Sequence, residues 1–131
     1  MFESKQATKN IRYGYNDAMK TFGKLYGNKY TFKTMPSDIK TLEYLGRSFK
    51  LDDSKIYTLN EFDKKIINKL DKTILKEVKN IEKIRNVLKP SERIKFIYNK
   101  LIIKDDKNIN IIKKVFTKEF LAAYYIYDKY K

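Results

Sequence analysis

The chain has 131 residues, 42% of them hydrophobic and 15% aromatic, which is enough to build one hydrophobic core. It has no histidine and no cysteine, so it lacks the usual zinc ligands and can form neither disulfides nor nucleophile–histidine pairs. Its 30 Lys and Arg against 16 Asp and Glu give a net charge of +14. An excess of this size is typical of proteins with a polyanionic partner.

The low number of Gly and Pro residues predicts a mainly α fold. We expect a small helical bundle in one domain, 1–131, made of N-terminal helices and a loop (1–57), a long central helix (58–88) and a C-terminal helical unit (90–131). The polar N-terminal residues and the short apolar runs predict a cytoplasmic protein of a bacterial host cell with no membrane partner. The abundance of Lys, Ile, Asn and Tyr is typical of an AT-rich genome, but it does not account for the shortage of acidic residues.

A first helix is predicted from Gln6 to Tyr26, because apolar residues recur at three- and four-residue steps and form one stripe. The stripe consists of Ala7, Ile11, Tyr15, Ala18, Phe22 and Leu25. Ser37 is expected to cap a short second helix that ends at Gly46. Residues 30–32 predict a short extended piece, and residues 47–57 predict either a short hairpin or a connector.

A capping box, Thr58-Leu59-Asn60-Glu61, predicts the start of a long helix that runs to Leu88. One face of this segment is apolar, and its other faces carry lysines interleaved with acids. At about 1.5 Å per residue the helix would span roughly 45 Å, which is long for a small core. We therefore expect it to extend beyond the core, to form a homodimer with a second copy, or to break near Val78 to Asn80.

The C-terminal segment has the order of a helix-turn-helix: a support helix (92–104), a turn, a short helix (109–116), a cap at Thr117 and a last helix (118–130). If the last helix enters the major groove, its exposed residues face the bases and the short helix approaches phosphates. The predicted base-side residues are Lys118, Ala122, Tyr125 and Lys129, and the predicted phosphate-side residues are Lys107, Lys113 and Lys114. The alternative is a plain helical pair that completes the bundle.

Three short stretches of this segment carry a resemblance to a known family. They are Glu92-Arg93 with the following 96–101, then 112–117, then a tyrosine-rich end with Tyr124, Tyr127 and Tyr130. The segment resembles the C-terminal end of phage late-gene transcription regulators of the ArpU and RinA type. This resemblance implies DNA binding at a phage promoter.

The first helix carries a second group of basic residues, interleaved with an aromatic side chain. The group consists of Lys9, Arg12, Tyr13, Lys20 and Lys24. Basic side chains beside exposed aromatic rings are typical of surfaces on which single-stranded bases stack. We include its four cations among the predicted nucleic-acid contacts.

Catalysis is not expected. Asp52-Asp53 and Asp105-Asp106 are the acidic pairs that could bind Mg²⁺, but both lie in predicted turns, where solvated or helix-capping carboxylates are more common. The isolated glycines form no phosphate-binding loop. We therefore predict no enzyme activity, no metal and no cofactor.

These observations lead to three functional hypotheses. The first is a non-enzymatic nucleic-acid-binding protein with duplex DNA as the favoured partner, acting as a regulator in a phage or mobile element. The second is a small phage- or plasmid-encoded inhibitor, of the anti-CRISPR kind, that blocks an acidic host protein involved in nucleic-acid processing or defence. The third is a virion or scaffold component built on the long helix.

Overall fold

A computed structural model of the protein describes residues 2–78 and 80–130. The fold is mainly α, as predicted, and it forms a small helical bundle. The helices are α1 (Phe2–Thr21), α2 (Ile39–Ser48), α3 (Leu59–Lys72), α4 (Ile84–Val87), α5 (Pro90–Ile102), α6 (Asp106–Val115) and α7 (Thr117–Tyr130). Two short strands, β1 (Thr31–Phe32) and β2 (Ile56–Tyr57), pair in parallel, and a 3₁₀ turn covers Ile81–Lys83.

The two strands bring aromatic side chains together above α3. The Phe62 ring is fully buried and meets the rings of Tyr30, Phe32 and Tyr57 edge-on, at centroid distances of 5.1 to 5.8 Å. The parallel pairing of Thr31 with Ile56 replaces the hairpin that was one alternative for residues 47–57. An antiparallel hairpin would use two adjacent strands, whereas the partner strand here lies before α2 in the chain.

Local capping signals set the starts of α2 and α3. The capping box is confirmed, because the Glu61 amide donates to the Thr58 hydroxyl and the Thr58 amide donates to the Glu61 carboxylate. The predicted cap of α2 at Ser37 is wrong. The Asp38 carboxylate accepts the Thr41 amide at 3.1 Å instead, and aspartate is at least as good a cap as serine.

The long central helix is interrupted well before Leu88, earlier than the predicted break near residues 78–80. Helix α3 ends at Lys72, where Thr73 is extended and its hydroxyl donates to the Lys69 carbonyl at 2.8 Å. A straight helix would carry the later apolar residues past the core, whereas the interruption allows Ile84 and Leu88 to turn back and become buried. Lys79, within the predicted helix, lies outside the described residues. The predicted homodimer through a continuous helix 58–88 therefore lacks the helix on which it was based.

The C-terminal unit forms three consecutive helices, close to their predicted positions. Pro90 occupies the first turn of α5. Asp105 caps α6, because one carboxylate oxygen accepts from the Asn108 backbone amide and the other accepts from the Asn108 side-chain amide at 2.6 Å. Helix α7 packs against α5, α2 and α6. Its small residues Ala122 and Ala123 are fully buried, which lets the neighbouring helices approach closely.

Candidate nucleic-acid interface

Helix α7 does not present the predicted base-reading face to solvent. Ala122 is fully buried in the face that packs inside the bundle, so its prediction as a base contact is wrong. The physical reason is that α7 is a core helix, and its alanines supply the close contact between helices. Lys118, in the first turn, is the predicted base-side residue that stays exposed without an ion pair among the described residues.

Tyr125 and Lys129 make internal contacts to a buried carboxylate on α3. Asp63 has no exposed surface, and it accepts a hydrogen bond from the Tyr125 hydroxyl at 3.1 Å. The Lys129 ammonium forms an ion pair with the same carboxylate, and the Tyr130 hydroxyl lies 3.5 Å from it. Both predicted contacts are therefore used to hold α7 on α3, because a buried anion needs donors around it.

The buried Asp63 carboxylate shifts the pKa values of Tyr125 and Lys129. Burial and the negative charge of Asp63 raise the pKa of Tyr125 to about 12. Burial acts to lower the pKa of Lys129, but the hydrogen bond and charge of Asp63 outweigh it, so this pKa lies above its usual value. Tyr125 thus stays neutral and Lys129 stays charged over the physiological range.

The predicted phosphate-side residues lie on α6 and line neither of the two grooves described next. Lys107, Lys113 and Lys114 are exposed, and the Lys113 ammonium lies 5.6 Å from the centre of the Phe120 ring. Phe116 is the single residue between α6 and α7, and the predicted helix-turn-helix also had one residue, Thr117, between these helices, so the length of the connection does not separate the two alternatives. The burial of Ala122 and the internal contacts of Tyr125 and Lys129 favour the plain helical pair.

The N-terminal cations are divided between the two sides of α1. The Lys20 ammonium donates to the Asn28 carbonyl at 2.8 Å, and the Tyr13 hydroxyl donates to Asp53, so these side chains fasten α1 to the domain. Lys9 is exposed and faces a groove beside α2. Arg12 and Lys24 are exposed elsewhere. Of this set, Lys9 is the one that the structure brings into a larger basic surface.

A first groove lies between α2 and the start of α7. Lys40, Tyr44 and Arg47 line it, because the spacing i, i+4, i+7 places them on one face of α2. Lys118 and Leu121 close it from α7, and its volume is about 300 Å³. Three cations therefore surround a half-buried tyrosine in this α2–α7 groove.

A second groove lies between α1 and the end of α2. Its cations are Lys9, Lys29, Arg47 and Lys50, and its volume is about 490 Å³. Lys50 stands next to Arg47 because the chain leaves α2 with a left-handed residue, φ 55° at Lys50, and a bond from the Leu51 amide to the Gly46 carbonyl at 2.9 Å. We call this the α1–α2 groove.

Arg47 lines both grooves and joins them into one surface. The basic face, as we define it, consists of Lys9, Lys29, Lys40, Arg47, Lys50 and Lys118. All six side chains are exposed. The ion pairs among the side chains that the structure describes are Arg93–Glu119, Lys100–Asp105 and Lys129–Asp63, and they do not include any of these six.

The carboxylates around the basic face have hydrogen-bond donors of their own. Glu43 is buried and accepts the amides of Asn28 and Tyr30 at 2.9 and 2.8 Å. Asp52 accepts the Ser54 amide and hydroxyl, and Asp53 accepts the Tyr13 hydroxyl. Burial acts to raise the pKa of Asp52, but the Ser54 hydrogen bonds and nearby lysines hold it below its usual value. These acids support the loops and form no ion pair with the six cations, although Asp52 and Asp53 line the α1–α2 groove and Lys9 is one of the lysines that lower the pKa of Asp52.

A larger groove of about 980 Å³ lies between α5, α6 and the segment that contributes Val78, Asn80, Ile81, Arg85 and Asn86, but its cations already have partners. Arg85 lies 5.3 Å from the centre of the Phe116 ring and donates to the Val115 carbonyl at 3.3 Å. Lys100 pairs with Asp105 at 3.5 Å. By volume alone this groove would be the candidate binding site. The basic face is the better candidate for binding phosphates, because its cations are not in ion pairs.

Sequence reasoning missed Lys29, Lys40, Arg47 and Lys50. The spacing of Lys40, Tyr44 and Arg47 on a short helix was the one available signal. The rest of the face depends on how α1 and α7 dock beside α2, which the sequence pattern does not encode.

Comparisons with known proteins do not identify a family or a function for this chain. Scans of protein-family models, of curated proteins and of solved structures found no match to this chain. The resemblance to phage late-gene regulators therefore stays a prediction. In the described part of the chain, no group of three or more acidic side chains is placed to hold a metal ion, and no helix is long and apolar enough to cross a membrane.

Proposed function

We propose that this chain is a non-enzymatic nucleic-acid-binding protein that contacts the phosphates of duplex DNA through the basic face. The observation that carries the proposal is the cluster of six exposed cations around Arg47, none of them in a described ion pair. Arg47 is the central residue because its planar guanidinium suits bidentate phosphate contacts. The lysines on either side would act as point charges along the phosphate backbone.

This arrangement favours binding that tolerates changes in base sequence. Phosphate contacts fix position but carry no direct sequence information, and Ala122, Tyr125 and Lys129 are occupied inside the bundle. Lys118 is the predicted base-side residue that could still reach a base edge. A regulatory role at a phage promoter is the narrower form of the proposal, and it requires Lys118 to discriminate between sequences.

The test is a comparison of two triple variants that carry the same net charge. Lys40→Ala/Arg47→Ala/Lys118→Ala removes three cations of the basic face. Lys64→Ala/Lys69→Ala/Lys72→Ala removes three exposed lysines of α3 that line neither groove. Alanine preserves helix propensity at all six positions. Fluorescence anisotropy with labelled duplex DNA of two unrelated sequences, single-stranded DNA and RNA gives the dissociation constants.

We expect the basic-face variant to weaken duplex binding by at least about tenfold more than the α3 variant, because local phosphate contacts are lost as well as net charge. Equal effects of the two variants would show that only total charge matters and would refute the basic face as the interface. Absence of binding to any nucleic acid at low salt would favour the other hypothesis, an acidic host protein as the partner.

A further inference from the structure

Helix α1 is docked with its polar side inward and its apolar side outward. Asn16 is 2% exposed and donates from Nδ2 to the Ser54 carbonyl at 3.0 Å, while Tyr13 and Lys20 contact the domain from the same side. On the opposite side, Ile11, Tyr15 and Phe22 are 72%, 53% and 74% exposed. The stripe that a sequence pattern would assign to the core therefore faces solvent.

The stripe continues without interruption along the helix. Ala7, Ile11, Tyr15, Ala18 and Phe22 follow at steps of four, four, three and four residues, which keeps them on one face. Phe22 belongs to this face because its amide still bonds to the Ala18 carbonyl at 3.1 Å. A row of large apolar side chains on the surface is typical of an interaction site.

The sizes of the side chains make the stripe complementary to itself. When a second α1 is laid antiparallel, with the two-fold axis midway between Gly14 and Tyr15, Ala7 faces Phe22 and Ile11 faces Ala18. Large side chains then meet small ones at both ends. At the centre, Gly14 approaches the same glycine of the other copy, with open space where its Cβ would be, and the two Tyr15 rings lie side by side.

We propose that α1 is a homodimerisation helix and that the occupant of its apolar stripe is the antiparallel α1 of a second copy of this chain. A two-fold, isologous interface is the commonest way in which identical chains associate. The proposal is independent of nucleic-acid binding. It replaces the long central helix, which the structure interrupts, as the dimerisation surface.

Charge along the middle of α1 is compatible with a second copy of this chain as the partner. The stretch 10–19 contains one cation, Arg12, and one anion, Asp17, so the middle of the stripe is electrically balanced in a chain of net charge +14. Lys20 is bonded on the inward side, and Lys9 lines the α1–α2 groove. Cations do stand at one edge of the stripe, because Arg12 and Lys55 line one groove together with Ile11 and Tyr15. An acidic helix or an anionic membrane is therefore the competing occupant that the experiments below must exclude.

The strength of the dimer follows from its size and charge. The stripe from Ala7 to Phe22 is about 22 Å long at 1.5 Å per residue, and a single helix pair buries less than the roughly 1,200 Å² of a stable interface. We therefore expect a dissociation constant in the micromolar range. Two chains of net charge +14 repel each other, so added salt should strengthen the dimer by screening this repulsion.

Disulfide trapping tests the register, and the cysteine-free chain suits it well. A Gly14→Cys variant places two thiols next to the proposed two-fold axis, where they should cross-link rapidly under mild oxidation. Gln6→Cys places an exposed thiol on a side of α1 away from the stripe and serves as the control. Equal cross-linking rates for the two variants would overturn the antiparallel register.

Sedimentation equilibrium tests the surface itself. Ile11→Ser/Phe22→Ser should raise the dimer dissociation constant by at least about tenfold, as expected for central apolar contacts. Ile74→Ser/Ile103→Ser, which changes two other exposed side chains, 86% and 66% accessible, should leave it unchanged. All four positions are exposed, so both variants should fold.

Three results would refute the proposal. One is a wild-type chain that remains monomeric up to about 1 mM, the upper limit of a meaningful affinity. Another is a dimer that the Ile11/Phe22 variant does not weaken. The third is a monomer whose α1 stripe binds anionic phospholipid vesicles or a synthetic acidic amphipathic peptide instead.

Discussion

Asp63 is the residue on which the position of α7 depends, and its removal gives the clearest stability prediction. The carboxylate is completely buried, and it accepts from Tyr125, Tyr130 and the Lys129 ammonium. Asp63→Ala leaves the Tyr125 hydroxyl without its buried partner. The Lys129 side chain, 37% exposed, can turn to water, which lowers the loss below the value for a fully buried pair.

We expect Asp63→Ala to lower the free energy of unfolding by about 3 kcal/mol, the lower end of the range for breaking a buried ion pair. Tyr125→Phe removes one hydrogen bond while Lys129 stays in place, so it should lose about 1 kcal/mol. The double variant should lose less than the sum, because both changes remove the same contact.

Urea unfolding followed by circular dichroism measures these differences, and the midpoint of thermal unfolding should fall by about 10 °C for Asp63→Ala. A loss below about 0.5 kcal/mol, typical of neutral surface changes, would refute the role assigned to this network. Lys129→Ala adds a functional control. It should destabilise the fold and leave the affinity for duplex DNA nearly unchanged, since Lys129 lies outside the basic face.

Two further predictions concern close packing and alkaline pH. Gly46→Ala should destabilise the protein by about 1–3 kcal/mol, because the new Cβ would lie 2.7 Å from Cζ of the buried Tyr30 ring. Gly14→Ala has open space around it within one chain, so at concentrations at which the chain is monomeric it should instead stabilise the helix by up to about 1 kcal/mol. Burial raises the pKa of Tyr57 to about 12 and raises that of Tyr30 further above its usual value. With Tyr125 they contribute stability that is fully present below about pH 10 and is lost as the pH rises toward 12. Tyrosinate absorbance and circular dichroism should therefore show some of the 11 tyrosines ionising only as the fold is lost; uniform ionisation near pH 10 in a folded protein would contradict this.

Structural features that depend on a few adjacent residues could be predicted from the sequence. The Thr58–Glu61 capping box and the start of α5 at Pro90 are local, since the atoms involved lie within three residues of one another. The interruption after Lys72 was not predictable, because the apolar period continues through Ile74 and only the position of the core shows that a longer helix would leave it.

The candidate site depended on contacts between distant residues. Asp63 follows Phe62 on α3 and looks like a solvent-facing acid, and its partner Lys129 is 66 positions away in the chain. Likewise, Arg47 gains its role from the docking of Lys9 and Lys118 on either side of α2. The stripe on α1 was visible in the sequence, but its outward direction is set by the buried Asn16 amide group.

The central claim is that the six cations of the basic face contact phosphates, and the salt dependence of duplex binding tests it most directly. With about 0.9 counterions released per phosphate contact, the plot of log affinity against log salt should have a slope of about −5. Affinity should then fall about a thousandfold between 50 and 200 mM salt. In the Lys40→Ala/Arg47→Ala/Lys118→Ala variant the slope should fall to about half. A wild-type slope no steeper than about −1, or one that this variant leaves unchanged, would contradict the assignment of the basic face.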